Sequence, residues 1–166
     1  MSLAVRPAVP EDAPLIFGFI RALADYERLL NDVSASEADI ARDLFGANPR
    51  AFAEIAEHDG RPVGFALWFY SYSTFRGRHG VYLEDLFVDP AARGLGAGKA
   101  LLRALARRCL DEDLGRLEWA VLDWNAPAIG FYDAIGSASM DEWTVRRLTG
   151  EALAALAGPT PADPPF

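Results

Sequence analysis

"DPAARGLGAG" (Asp89–Gly98) sets three glycines and one arginine between an apolar, strand-like run and a run with helical spacing. Glycine at that density costs chain entropy on folding, so this backbone has a reason to stay bare. Before it, "HGVYLEDLFVDP" reads as a strand ended by Pro90. After it, "GAGKALLRALARRCLDEDLG" puts Leu101, Leu102, Leu105 and Cys109 on one helical stripe. Strand, glycine loop and helix in that order present free backbone N–H groups at a helix N-terminus, where the macrodipole favours an anion such as phosphate. Arg93 adds a fixed positive charge.

Three phosphate-binding patterns compete for the loop. A P-loop requires a glycine five positions before the Gly98–Lys99 pair and a Ser or Thr after it, where Arg93 and Ala100 stand. A dinucleotide fingerprint requires G-x-G-x-x-G, whose third glycine would fall on Lys99 counted from Gly94, or on Leu101 counted from Gly96. The pattern that fits is R-x-x-G-x-G, read from Arg93, Gly96 and Gly98.

Outward from the loop, "LAVRPAV" (Leu3–Val9) reads as a first strand. "PEDAPLIFGFIRALADYERLL" is a helix with Leu15, Phe19, Leu23 and either Tyr26 or Leu30 on its apolar face. "SASEADIARDLFG" is a second helix, with Ser34 and Glu37 as a capping box and Gly46 as its stop. "AFAEIAEHDGRPVGFALWFYSYST" is two strands joined at Asp59-Gly60, a hairpin signal. "RLEWAVLDWN" is a further strand, "APAIGFYDAIG" a short helix stopped by Gly136, "EWTVRRLTG" a last strand, and "EALAALAG" adds a turn of helix. The order β-α-α-β-β-β-α-β-α-β predicts a single α/β domain over residues 1–157, with strands five and six parallel through a helical crossover. The tail 158–166, "GPTPADPPF", is too proline-rich for helix or strand.

The 166 residues include one cysteine, Cys109, which sits on an apolar stripe and agrees with a core role in a reducing cytoplasm. His58 and His79, the only histidines, form no ligand-spaced cluster, so no metal is expected. A net charge of −8 argues against nucleic acid and is compatible with cationic small molecules. No apolar stretch approaches the ~20 residues of a membrane span, and "MSLAVRPAVPEDAP" lacks the pattern of a signal peptide.

"LEDLFVDPAARGLGAGKALLRAL" resembles the acyl-CoA-binding motif of the GNAT superfamily of N-acetyltransferases. The resemblance runs from "VRPAVPEDA" through "LADYE", "VGFALWFYSYST", "VYLEDLFV" and "DWNAPAIGFYDAIG" to "EWTVRRL", and is similar to the diamine (spermidine/spermine) and thialysine acetyltransferase branch. It implies a mixed, mostly antiparallel sheet with helices on both faces and acetyl-CoA as co-substrate. It also implies a small primary amine as acceptor and a homodimer whose partner lends "DYE". By the same resemblance, the backbone of Leu86, Phe87 and Val88 pairs with the pantetheine arm, and Arg93, Gly94, Leu95, Gly96, Ala97, Gly98 and Lys99 line the pyrophosphate. Asn125 either touches the pantetheine or caps the helix opening at Ala126.

Acetyl transfer requires an amine freed of its proton, a steadied oxyanion and a protonated leaving sulfur. The family's "N-x-x-x-x-x-F-Y" tyrosine, matched by Phe131-Tyr132 after Asn125, implies that Tyr132 protonates the sulfur at the cofactor's reacting end. Glu84 is the candidate base, directly or through a water, or a cation anchor, or half of a structural ion pair. Strand alternation sends Glu84 and Asp85 to opposite faces unless a bulge intervenes. For the acceptor, the resemblance implies Tyr26 and Glu27, with Glu84 and Asp85, while Asp141, Glu142 and the cation–π face of Trp143 are further candidates. Ser73-Thr74 before Phe75 matches the thialysine branch, whereas polyamine members carry an acid and a proline there; Phe75 also replaces the commoner tryptophan. A non-catalytic acyl-CoA sensor and a protein or peptide acetyltransferase are the competing readings.

Overall fold

Asp59 and Gly60 both adopt positive φ, 49° and 75°, as the expected two-residue turn demands. The turn pairs His58 with Arg61 and so sets the register of β2 (Phe52–His58) against β3 (Arg61–Ser73). The computed structural model describes residues 2–159 and falls into two compact units, divided after Ala120. The first unit holds a five-stranded sheet in the order β1-β2-β3-β4-β5. β1 (Leu3–Pro7) and β4 (Arg78–Val88) pair antiparallel on β2 and β3, and β5 (Leu117–Trp119) lies parallel to β4.

The parallel pair is therefore the fourth and fifth strands, not the fifth and sixth. The helix α3 (Ala97–Asp111) supplies the long crossover that a parallel pair needs. Residues 142–150, read from sequence as a sixth strand, form none. Their apolar members pair with no ladder and stay exposed, Trp143 at 76% and Val145 at 81%, and the adjacent Arg146 and Arg147 break the alternation. Gly150 instead opens α5 (Gly150–Ala157), two turns of helix in the second unit, which also holds α4 (Ala126–Ala134). From Thr160 onward the proline-rich tail lies outside the described residues.

β3 and β4 keep register from Gly64↔Val88 to Leu67↔Asp85, then resume at Trp68↔Leu83. Glu84 is the extra residue of a β-bulge. The parallel ladder with β5 stops at Leu83, directly beside it. The bulge thus ends one ladder and bends the other.

One face of the sheet buries Ile55, Phe65, Leu67 and Phe87 against Ile16 and Phe19 of α1 (Ala13–Tyr26) and Leu44 of α2 (Glu37–Phe45). Each such side chain contributes roughly 1.5–3 kcal/mol by leaving water. The other face carries α3, with Leu101, Leu105 and Cys109 buried on the predicted stripe. Two helix boundaries differ from expectation. The capping box of α2 is Ser36 with Asp39, not Ser34 with Glu37: the Ser36 hydroxyl accepts from the Asp39 N–H and Asp39 from the Ser36 N–H. Only the later serine stands next to the first helical residue. α1 stops at Tyr26, before Leu30, because Arg28 turns left-handed (φ 64°) and the N–H groups of Arg28 and Leu29 close back onto Asp25 and Ala24. At the start of α1, Asp12 is gripped by Arg6 through two bonds of 2.7 and 3.0 Å and by the Val9 N–H at 2.8 Å.

Candidate active site

The loop after β4 makes a short 3-10 turn over Pro90–Ala92, where the Asp89 carboxylate accepts from the Ala91 N–H at 2.8 Å. Gly94 and Gly96 follow with φ of 82° and 87°, a conformation that any side chain would strain. Gly96 caps α3 without any side chain bonding the first turn, and its carbonyl already takes the Ala100 N–H. The N–H groups of Ala97, Gly98 and Lys99 are left as the helix's orphan donors. Arg93 stands at the rim with its guanidinium 5.0 Å from the Tyr26 ring, which ties the loop to the C-terminal end of α1. Leu95, Gly96 and Lys99 are exposed.

The backbone beside the loop has a definite orientation. The Asp89 N–H donates to the Val63 carbonyl at 2.8 Å. In an antiparallel ladder that makes Phe87 and Asp85 face β3, and turns the N–H and C=O of Leu86 and Val88 the other way. On that side β5 pairs only with Val81–Leu83. An edge with outward donors and acceptors therefore runs up to the glycine loop.

Three carboxylates gather where β4 meets the end of α1. Glu84, on the bulge, is exposed, whereas Asp85 is half-buried. Burial, then the charges of Glu84 and Glu27, push the Asp85 carboxyl up to about 6. Burial also raises Glu27. None of the three has an ion pair among the described residues. α1 moreover ends on Asp25, Tyr26 and Glu27 with no basic residue in its last turn, so acids sit at the negative end of its dipole. Negative charge placed against the fold's own field is what a cation site requires.

Other predicted residues lie elsewhere. Ser73 is buried and accepts the Arg76 N–H of its own turn at 3.4 Å, while Thr74 and Phe75 are exposed at the β3–β4 hairpin. In the second unit, Asn125 caps α4 through the Ala128 N–H at 3.4 Å and is buried. Tyr132 is half-buried, its ring 5.5 Å from Phe131, and its carbonyl accepts the Ser137 hydroxyl at 2.9 Å. Trp143, Asp141 and Glu142 are exposed.

A model of the acetyltransferase (GNAT) family matches residues 18–136. The chain belongs to the GNAT family. It is 39% identical over 165 residues to a thialysine N-epsilon-acetyltransferase of Bos taurus, covering 93% of this chain and 96% of that one. The L-ornithine N5-acetyltransferase NATA1 of Arabidopsis thaliana is 31% identical, with 92% and 86% covered. Among solved structures, the V. cholerae integron cassette protein VCH_CASS6 superposes with a TM-score of 0.78 at 28% identity, with 95% and 98% covered.

This GNAT chain is an N-acetyltransferase. Its Arg93–Lys99 loop fits a diphosphate: orphan N–H donors, a cation at the rim, and two left-handed glycines that keep the backbone open. Sequence reasoning weighed Glu84 as base, cation anchor or half of an ion pair, and did not foresee that Asp85 is the carboxyl whose surroundings push it up to about 6. The one available signal was the ambiguity of two adjacent acids in an apolar strand, which only the bulge resolves.

Proposed function

We propose that this enzyme moves the acetyl group of acetyl-CoA to the primary amine of a small cation, either a thialysine-like amino acid or a diamine. The observation that carries the reading is the trio Glu27, Glu84 and Asp85, which no cation neutralises among the described residues. The thialysine and ornithine acetyltransferases found among its relatives support the same acceptor class.

When bound, acetyl-CoA supplies the thioester carbonyl. Arg93 and the N–H groups of Ala97, Gly98 and Lys99 hold its diphosphate, and the outward backbone of Leu86 and Val88 pairs with the pantetheine as an added strand. Glu84 and Glu27 attract the ammonium, with Tyr26 as a wall. Asp85 takes the proton that the amine must lose, because its carboxyl, raised to about 6, is a stronger base than an ordinary carboxylate. Glu84 on the open bulge serves as the anchor rather than the base. Tyr132 donates its phenolic proton to the departing sulfur, so Tyr132→Phe keeps acetyl-CoA affinity and lowers turnover by about 10²–10⁴.

Incubation with acetyl-CoA and thialysine, lysine, ornithine, diaminopropane, spermidine or a peptide, reading released thiol, tests the reading. Fast release with one small diamino compound is expected. Release with the peptide alone would make the chain a protein acetyltransferase, and none with any amine would make it a sensor. We also propose a homodimer in the cytoplasm, a state that fits the exposed Trp143, Val145 and Leu156 and that light scattering of the purified protein would test.

A further inference from the structure

A second place in the first unit carries a buried carboxylate, well away in sequence from the glycine loop and the Glu27–Glu84–Asp85 group. A cavity of about 180 Å³ opens at the end of the sheet where β1 finishes, between α2 and the last turns of α3. Its walls are aromatic: Phe52, Trp68 and Tyr70 form a continuous set, with ring centroids 4.8 Å apart for Phe52–Trp68, 5.1 Å for Trp68–Tyr70 and 5.7 Å for Phe52–Tyr70. Glu54 lines the same space at only 6% exposure.

Glu54 is poorly served for so buried a charge. Its one ion pair, with Arg108, is long at 3.3 Å. Arg108 makes its shorter bond, 2.7 Å, to Glu112, whose other oxygen takes the Tyr70 hydroxyl at 2.6 Å. The Trp68 indole N–H lies near enough to lower the Glu54 carboxyl somewhat, yet has no hydrogen-bond partner of good geometry. Burial still dominates and raises that carboxyl. A buried, half-satisfied carboxylate calls for a missing partner. The chemistry of that partner follows from the charges and walls. Glu54 and Glu112 outnumber Arg108, and three aromatic faces attract a cation. Arg108 already plays that part, its guanidinium 4.8 Å from the Trp68 ring.

We propose that this cavity is a second binding site for a small organic ammonium ion, which docks on Glu54 among Phe52, Trp68 and Tyr70 by displacing Arg108 towards Glu112. Arg108 is the site's built-in competitor. It has a second anion waiting, so its departure from Glu54 leaves no guanidinium unpaired. The cavity suits an amine of a few carbons rather than a long polyamine, and it is separate from the proposed acceptor site.

Titration of isotope-labelled protein with propylammonium chloride, without acetyl-CoA and against sodium chloride of equal ionic strength, tests this through the Trp68 indole N–H resonance. A saturable shift is expected with the ammonium only. Glu54→Gln weakens it about tenfold or more, Glu54→Asp retains part of it, and Arg108→Gln tightens it several-fold. Asp85→Asn, which alters the acceptor site, leaves it in place. No saturable shift in either the wild type or Arg108→Gln would overturn the proposal, leaving water as the occupant. An equal response in folded Glu54→Gln would do the same.

Discussion

Asp12 and Asp85 are both aspartates withdrawn from water beside α1, yet they titrate in opposite directions. Asp12 stands at the start of the helix, held by both Arg6 guanidinium nitrogens and the Val9 N–H, and the Arg6 bonds keep its carboxyl below the ordinary range. Asp85 stands near the helix's other end with no ion-pair partner among the described residues, and the charges that act on it, Glu84 and Glu27, are like charges. The difference separates architecture from chemistry. A carboxylate that serves the fold is given its counter-ion from within the chain, whereas the one proposed to serve an acceptor would find its partner in a ligand.

Removing the architectural carboxylate should have the largest effect. Asp12→Asn leaves Arg6 with Glu57 alone and is expected to cost about 2–3 kcal/mol in chemical denaturation. Because the Asp12 pKa is depressed on folding, its contribution is present at neutral pH and fades as pH falls towards 3.8 and below. A wild-type-like midpoint for Asp12→Asn at pH 7 would erase the contrast.

Asp85 should behave as the mirror image. Its folded value, about 6, lies above the ordinary 3.8. Its favourable term is complete only below 3.8 and disappears as pH rises through 6, so ionised Asp85 destabilises the fold at neutral pH. Asp85→Asn should accordingly raise stability by about 1–3 kcal/mol at pH 7.5 while lowering kcat. The acidic limb of the kcat/KM profile, placed near pH 6 in the wild type, should vanish in Asp85→Asn and survive in Glu84→Gln, displaced to lower pH. Loss of the limb in Glu84→Gln alone would return the base to Glu84.

The smallest effect sharpens the comparison rather than tests its core. Glu27→Gln removes a like charge from Asp85 and an acid from the negative end of α1. It should move the acidic limb to lower pH, raise KM for the amine, and add about 0.3–1 kcal/mol of stability. An unchanged pH profile would show that Glu27 does not reach Asp85.

Local signals were legible wherever the chemistry was short-range. The left-handed pair at Asp59-Gly60, the stop at Gly46 and the open turn of Gly94 and Gly96 are properties of single residues, and each lies where its sequence places it. A side chain at Gly46 would sit 2.3 Å from the Arg42 carbonyl. The stripe of α3 was equally plain. What escaped depended on partners. Arg28 closes α1 in a conformation usually taken by glycine, so no stop signal marks it. Trp143–Leu148 has strand-like composition, but a strand exists only beside another strand. Glu84 and Asp85 are neighbours of similar chemistry, and their different exposure follows from a register slip between β3 and β4 that neither residue announces. Asn125 displays both possibilities at once, since a helix cap and a ligand contact ask for the same side chain.

That slip has a consequence for anyone who would harden the protein. Deleting Glu84 would let the hairpin run without interruption and invite the neighbouring parallel strand to zip further along its length. A tidier weave of this kind would be expected to melt later and to catalyse nothing, because the seam left unstitched beside Leu86 and Val88 is the one proposed to admit the donor.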